Sequence, residues 1–368
     1  MRQLVGWLWG ACLLAGCVRP AEGRAQKDLE VGRAEGGGLS VTVEEGLAAV
    51  RGLESGALTL WGNAPAFHVR TVATAGAPEW WMLRVRNAMP DAQLVAVAEG
   101  TGEPLALEAG PAGVPTEKVW RVRLRPGAGA RLTVAPPGWD EARPFRFAAL
   151  ADVQEALPKV GDIYARMNED PALRFIFFSG DLTERGTQDQ LEEFQERLTA
   201  SRIPLYATLG NHETYSGGDT AYHALVGRGS HHFGFQGVRF TMVDSADGTV
   251  DPLVEEQLDT WLEEARGAVH VVGMHIAPLE PVGVRNGSFS SRNEAAGLVG
   301  KLARAGVDLT LYGHVHSYYA FSNAGIPAFI SGGGGAIPER FDGVGRHYLA
   351  VEVDPFAGVK DVALVRVD

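Results

Sequence analysis

Five short stretches carry residue types that can hold metal ions: "ADVQ" with Asp152 and Gln154, "SGDL" with Asp181, "LGNHE" with Asn211 and His212, "GMH" with His275, and "YGHVH" with His314 and His316. Each directly follows an apolar run of strand type: "FRFAALA", "RFIFFSG", "LYATLG", "HVVGM" and "LTLYG". Sites in open α/β sheets form beyond the carboxyl ends of strands, so five loops would converge on one sheet edge, each with an oxygen or nitrogen donor. The chemistry this suits is in-line displacement. Two cations roughly 3.5–4 Å apart can share a hydroxide and hold both the attacking and the leaving oxygen. An aspartate beside a glycine at a strand end can reach both cations. A His-x-His pair sends one imidazole toward each, and an asparagine adds a neutral carbonyl oxygen. His212, next to Asn211, stands where it can donate a hydrogen bond or a proton to a leaving group.

The elements that must position these residues follow from periodicity. From residue 144 onward strands alternate with helices, which predicts an α/β domain over 144–368. "TQDQLEEFQERLTA" places Leu191, Phe194 and Leu198 on one stripe, with Thr187 and Gln190 spaced as a capping box. "DPLVEEQLDTWLEEA" puts Leu258, Trp261 and Leu262 on one face, and "SRNEAAGLVGKLARAG" is a third helix. The last runs, "HYLAVEVD" and "DVALVRVD", have no helix between them and predict an antiparallel hairpin.

Taken together and in order, the motifs resemble the calcineurin-like metallophosphoesterases, whose pattern is Asp-x-His, Gly-Asp, Gly-Asn-His-Asp/Glu, a lone His, and Gly-His-x-His. The resemblance runs from Phe147 to about Gly335. It implies a four-layer α-β-β-α sandwich and a phosphoester hydrolase with a dinuclear metal centre and a metal-bridging hydroxide. Carried over residue by residue, it implies one metal on Asp152, Gln154, Asp181 and His316. A second metal would sit on Asp181, Asn211, His275 and His314, with Asp181 bridging and His212 assisting the leaving group. The departure is Gln154, where the family has histidine. An amide oxygen in place of an imidazole moves metal preference from zinc toward manganese or magnesium. Manganese is therefore favoured, with zinc or iron as alternatives. Glu184 stands where the purple acid phosphatases within this family carry a tyrosine. The expected substrates are small phosphodiesters or nucleotide pyrophosphates. A phosphomonoester, or a degenerate surface protein that binds ligands without turnover, are the alternatives.

Ahead of this domain, residues 39–140 show short alternating runs between Gly, Pro and Asn turns, read as an all-β sandwich resembling an immunoglobulin-like domain. "PPGWDEARP" joins the two. The first seventeen residues form an apolar leader ending in Leu14-Ala15-Gly16-Cys17, which resembles a bacterial lipobox. Cys17 is then the lipidated residue, residues 18–38 a flexible tether, and the location the cell envelope, on an outer-membrane or periplasmic face. The two cysteines, Cys12 and Cys17, both lie in this leader, so no disulfide framework or thiolate metal site is expected. A formal net charge of −12 disfavours a nucleic-acid polymer as partner. His231 and His232 in "GSHHFGF" are expected on a solvated edge, "SGGGGA" (331–336) as a turn near the pocket, Asp244 as a turn cap, and His68 and His347 as structural side chains.

Overall fold

The computed structural model describes residues 20–283, 287–339 and 344–367. The leader and Cys17 lie outside the described residues. None of the described helices is long and apolar enough to cross a membrane.

Residues 20–38, expected as a tether, are ordered. Helix α1 (Pro20–Glu30) buries Ala21, Arg24, Ala25 and Asp28. Two of those four are charged, and this hid the helix from a hydrophobic-period reading. The charges are paired across the fold: Arg24 Nε donates to Asp244 at 2.6 Å, and the Asp28 carboxylate accepts from the backbone amides of Gly229 and Ser230.

The front domain has ten strands: β1 (Arg33–Gly36), β2 (Leu39–Val43), β3 (Ala48–Glu54), β4 (Ala57–Gly62), β5 (Phe67–Ala73), β6 (Trp80–Arg86), β7 (Gln93–Ala98), β8 (Leu107–Ala109), β9 (Lys118–Arg123) and β10 (Gly129–Ala135). They form two five-stranded sheets, β1-β2-β5-β10-β7 and β3-β4-β6-β9-β8. Alternation sets the burial. In β5, Phe67, Val69, Thr71 and Ala73 point inward, while Arg70 and Val72 face solvent. His68 is a strand residue bonded across the ladder to Thr133 Oγ1 at 2.9 Å.

The second domain is built from two mixed sheets. The first combines β11 (Phe145–Leu150), β12 (Leu173–Ser179), β13 (Leu205–Thr208), β20 (His347–Asp354) and β21 (Gly358–Arg366) in the order β13-β12-β11-β20-β21. The second combines β14 (His231–Phe235), β15 (Val238–Val243), β16 (Val269–Met274), β17 (Leu309–Tyr312), β18 (Tyr318–Asn323) and β19 (Ile326–Ser331) in the order β14-β15-β16-β17-β19-β18. The sheets face each other across Phe147, Phe175, Phe177, Phe233 and Phe240, with Phe147 and Phe240 edge to face at 5.3 Å. Helices α2 (Gly161–Asn168), α3 (Gln188–Leu198) and α4 (Gly218–Leu225) cover the outer face of the first sheet. Helices α5 (Pro252–Glu264) and α6 (Arg292–Ala305) cover the second. This is an α-β-β-α sandwich preceded by an all-β domain. Thr187 Oγ1 caps α3 by accepting from Gln190 N, and Leu191, Phe194 and Leu198 are buried.

The front domain closes an open edge. β13 lies at the end of its sheet, where unpaired backbone would otherwise face water. Asn87 accepts from Leu205 N and donates to Leu205 O, and Asn63 Oδ1 accepts from Ala207 N.

Candidate metal centre

The centre is assembled at the carboxyl ends of β11, β12, β13, β16 and β17, where all the predicted residues meet. The backbone there is under strain. Asp152, Gln154, Asp181 and His314 have left-handed φ values of 64°, 45°, 59° and 68°. Such positions cost about 1–3 kcal/mol each and persist only where the surroundings over-determine them. Glycines make room. A Cβ on Gly210 would lie 2.1 Å from Asp181 Oδ1, and one on Gly313 would lie 2.7 Å from Asp152 Oδ2. The 331–336 loop approaches just as closely: a Cβ on Gly332 would lie 2.9 Å from Asp152 Oδ2, and Gly334 N donates to Ala151 O. It is a turn packed on the centre, which bulkier residues would push away.

Two of the imidazoles are oriented from behind by backbone carbonyls. His275 Nδ1 donates to Ser179 O at 2.8 Å, which leaves Nε2 facing Asp181 Oδ2 at 3.2 Å and Asn211 Oδ1 at 3.0 Å. His316 Nδ1 donates to Ile337 O at 2.7 Å, which leaves Nε2 facing Asp152 Oδ1 at 3.5 Å. His314 Nδ1 lies 2.9 Å from Asn211 Oδ1. A backbone carbonyl on one ring nitrogen sets the tautomer and aims the other, as in metal-binding histidines generally. Ligand atoms of Asp181, His275 and His314 come within 4.8 Å of one another, so these three residues could hold an ion.

Gln154 points otherwise. Its Nε2 donates to Asp181 Oδ2 at 2.6 Å and lies 3.3 Å from His316 Nε2. The amide NH₂ thus stands between two donors that the resemblance assigns to the first metal. Asp152 is held by two contacts from the His314 amide to its carboxylate oxygens, at 3.1 and 2.9 Å.

The sequence reading quoted Glu213 in a motif without a role. It is fully buried, and its carboxylate accepts from the amides of Asp181, Thr183 and Gly210 and from Thr183 Oγ1. One side chain therefore ties the Asp181 loop to the Asn211 loop. Its position three residues past the glycine of "GNHE" is the only sequence signal for this.

Burial and mutual proximity shift the acids of the centre and His275 from their ordinary ranges. Asp152, Asp181 and Glu213 are all buried. Burial, with the other carboxylates, pushes Asp152 well up and Glu213 to about 7. Burial opposes the charged form of Asp181 as well, but His275 and His212 outweigh it and hold Asp181 below the usual range. His275 is raised to about 9: burial lowers it, and Asp181 more than compensates. The carboxylate oxygens of Asp152 and Asp181, the imidazole nitrogens of His275, His314 and His316 and the amide oxygen of Asn211 are a donor set suited to divalent ions, and the residues present fit such a group.

His212 sits at the mouth. Its Nδ1 donates to Glu184 O at 2.7 Å, and its Nε2 is 3.9 Å from Asp181 Oδ2. The Tyr215 ring packs beside it at 4.9 Å between centroids.

The remaining expectations fall away from the centre. His231 and His232 lie on an edge strand as expected but are buried, at 1% and 5% exposure, not solvated. Trp261 of α5 stacks on His232 and covers that edge. Asp244 caps a turn at Ala246 N and also pairs with Arg24. His347 is a buried strand residue against Gly333.

Residues 145–318 match the family model described as calcineurin-like phosphoesterase. The chain is 22% identical over 209 residues to a probable cyclic nucleotide phosphodiesterase of Colwellia psychrerythraea, covering 52% of this chain and 79% of that protein. Among solved structures it is similar to PhoD, with 13% identity over 79% of this chain and 82% of that one and a TM-score of 0.48. It is also similar to GAP50, the anchor in the inner membrane complex of Plasmodium, with 15% identity over 61% of this chain and 90% of that one and a TM-score of 0.44.

Proposed function

We propose that this chain, whose residues 145–318 match the calcineurin-like phosphoesterase family, is a metal-dependent phosphoester hydrolase that hydrolyses small phosphodiesters at a centre for two divalent metal ions. The observation that carries the reading is the convergence of Asp181, His275 and His314 with Asn211 on one side, and Asp152 and His316 on the other, at five strand ends. Asp181, His275, His314 and Asn211 would hold one ion. Asp152, Asp181, His316 and the Gln154 carbonyl would hold the other, with manganese favoured because one expected imidazole is replaced by an amide oxygen. Bound divalent ions supply positive charge to the phosphoryl oxygens and activate water near neutral pH.

The chain's own residues do the rest. The Glu184 carbonyl fixes the Nδ1–H of His212, so Nε2 is the nitrogen left to face the leaving oxygen and, when the ring carries a second proton, to donate it there. Glu213 keeps the Asp181 and Asn211 loops in register, which pre-organises the donors. The family relative described as a probable cyclic nucleotide phosphodiesterase supports diesters over monoesters and adds cyclic nucleotides to the substrates to be tried. The apolar leader and Cys17 support a lipid-anchored protein of the cell envelope. Because α1 begins three residues after Cys17, such an anchor would hold the domain close to the bilayer.

The test uses the chain from Val18 onward, stripped of metal and reloaded with manganese, zinc or iron. Hydrolysis of bis-p-nitrophenyl phosphate is compared with that of p-nitrophenyl phosphate. The expected result is metal-dependent turnover that favours the diester and falls at least a thousandfold in Asp181→Asn. A folded protein that binds metal yet turns over neither compound would overturn the reading.

A further inference from the structure

Few large apolar side chains are strongly exposed among the described residues, and two of them border the metal centre: Tyr215 at 45% and Ile337 at 64%. Tyr215 belongs to none of the buried clusters that build the fold. Its contacts are with the centre itself. The ring packs against His212 at 4.9 Å with the planes inclined by 52°, and its hydroxyl accepts from Asn211 Nδ2 at 3.4 Å. Ile337 adjoins His316, from which its carbonyl accepts, and its amide donates to Glu155 Oε1. An exposed aromatic face beside a polar centre is a surface that the flat apolar part of a ligand can cover.

The position of Tyr215 follows from the direction of His212. Nδ1 is tied back to Glu184 O, so Nε2 is the atom a leaving oxygen would meet. Whatever group that oxygen carries must leave the centre beside His212, along the ring of Tyr215. The aromatic face accepts a flat group there, since offset and inclined ring pairs are favoured and stacking tolerates different ring types. We propose that Tyr215 is a specificity-determining platform for the leaving group, so that the preferred substrates are phosphodiesters whose leaving alcohol carries a planar aromatic ring. This rests on the phosphodiesterase reading above. An aryl ester and a nucleoside ester share the required chemistry.

The test compares the metal-loaded wild type with Tyr215→Phe and Tyr215→Ala on bis-p-nitrophenyl phosphate, on a dinucleoside monophosphate and on glycerophosphocholine, which has no ring. Binding of phenylphosphonate and methylphosphonate is measured alongside by calorimetry. In Tyr215→Ala the selectivity for ring-bearing over ring-free diesters should fall at least tenfold, carried by KM more than kcat, and Tyr215→Phe should retain it. The preference for phenylphosphonate over methylphosphonate should fall in parallel. A loss on both ring-bearing diesters supports the platform, and a loss on the dinucleoside alone supports it and specifies the nucleoside. An equal fall in kcat on all three diesters would overturn it, because Tyr215 would then only position His212; so would an unchanged phenylphosphonate preference. Absence of turnover in the wild type with the phosphonate preference intact sinks the hydrolase reading and leaves the platform standing.

Discussion

At the scale of single residues, the informative one is Gln154. A histidine there would offer a second aimed nitrogen to the first metal position. The glutamine presents its NH₂ to Asp181 Oδ2 and His316 Nε2, and must turn its amide over before its oxygen faces an ion. The two proposed positions would then be unequal: Asp181, His275 and His314 are gathered in advance, while the other set would exchange a buried hydrogen bond for a metal contact. Equilibrium dialysis with manganese should show one tight and one weak site, the weak one at least tenfold weaker. Gln154→His should tighten the weak site and move its preference toward zinc, as imidazole does relative to an amide oxygen. Two equal sites in the wild type would contradict this. Gln154 was legible as an anomaly because its neighbours fit a pattern. Its hydrogen bonds were not, because they depend on where His316, 162 residues away, is placed.

At the scale of elements, helix α1 is the part that sequence periodicity missed and the part that most clearly clamps the catalytic domain. Arg24 is 2% exposed and meets Asp244 and Asp247, while Lys27 meets Asp219 and Thr220 of α4. Burial disfavours the charge on Arg24, but Asp244 outweighs it and holds the guanidinium above its ordinary range. Removing one partner of such a pair leaves an uncompensated buried charge, at a cost of about 3–5 kcal/mol. Urea denaturation of Arg24→Met should show a loss of that order. Arg24→Met combined with Asp244→Asn should recover part of it, and simple additivity of the two losses would show that the pair is not coupled. Helix α4 follows directly on the 212–217 turn that carries His212 and Tyr215.

At the scale of the whole molecule, the two domains share a seam and a response to acid. Asn63 and Asn87 reach from the front domain to pair the open backbone of β13, so the front domain completes a sheet of the second domain. The acid response comes from imidazoles buried without charge. Burial lowers His231 to about 3, with Arg228 adding to it, and lowers His232 to about 3 and His270 to about 4, with Arg239 contributing to both. The sign follows from linkage. The unfolded chain takes up these protons as pH drops below about 6.5 while the folded chain does not, so each such histidine lowers stability by up to about 1.4 kcal/mol per pH unit. His231 stacks on Phe233 in apolar surroundings, so His231→Phe isolates one contribution. Relative to the wild type, this variant should gain about 2 kcal/mol between pH 6.5 and pH 5 in chemical denaturation. An unchanged difference across that range would mean that His231 is charged in the folded state.

The sequence by itself determined the donor set, its order and its place at strand ends. Ligand chemistry depends on residue type, and strand ends are marked by local apolar runs and glycines. The same local signals predicted α3, α5, α6 and the closing hairpin, whose apolar faces repeat at short range. Only the tertiary structure decided the rest. The docking of α1 rests on a charge pair 220 residues apart. The role of Glu213 appears only when amides of two loops converge on one carboxylate, and the burial of His232 only when Trp261 closes over the edge. Tyr215 reads in sequence as an ordinary loop tyrosine, and what it faces is set by the imidazole folded beside it. Long-range contacts carry no periodic signature in the chain, so these features become visible only once the sheets, helices and loops are assembled.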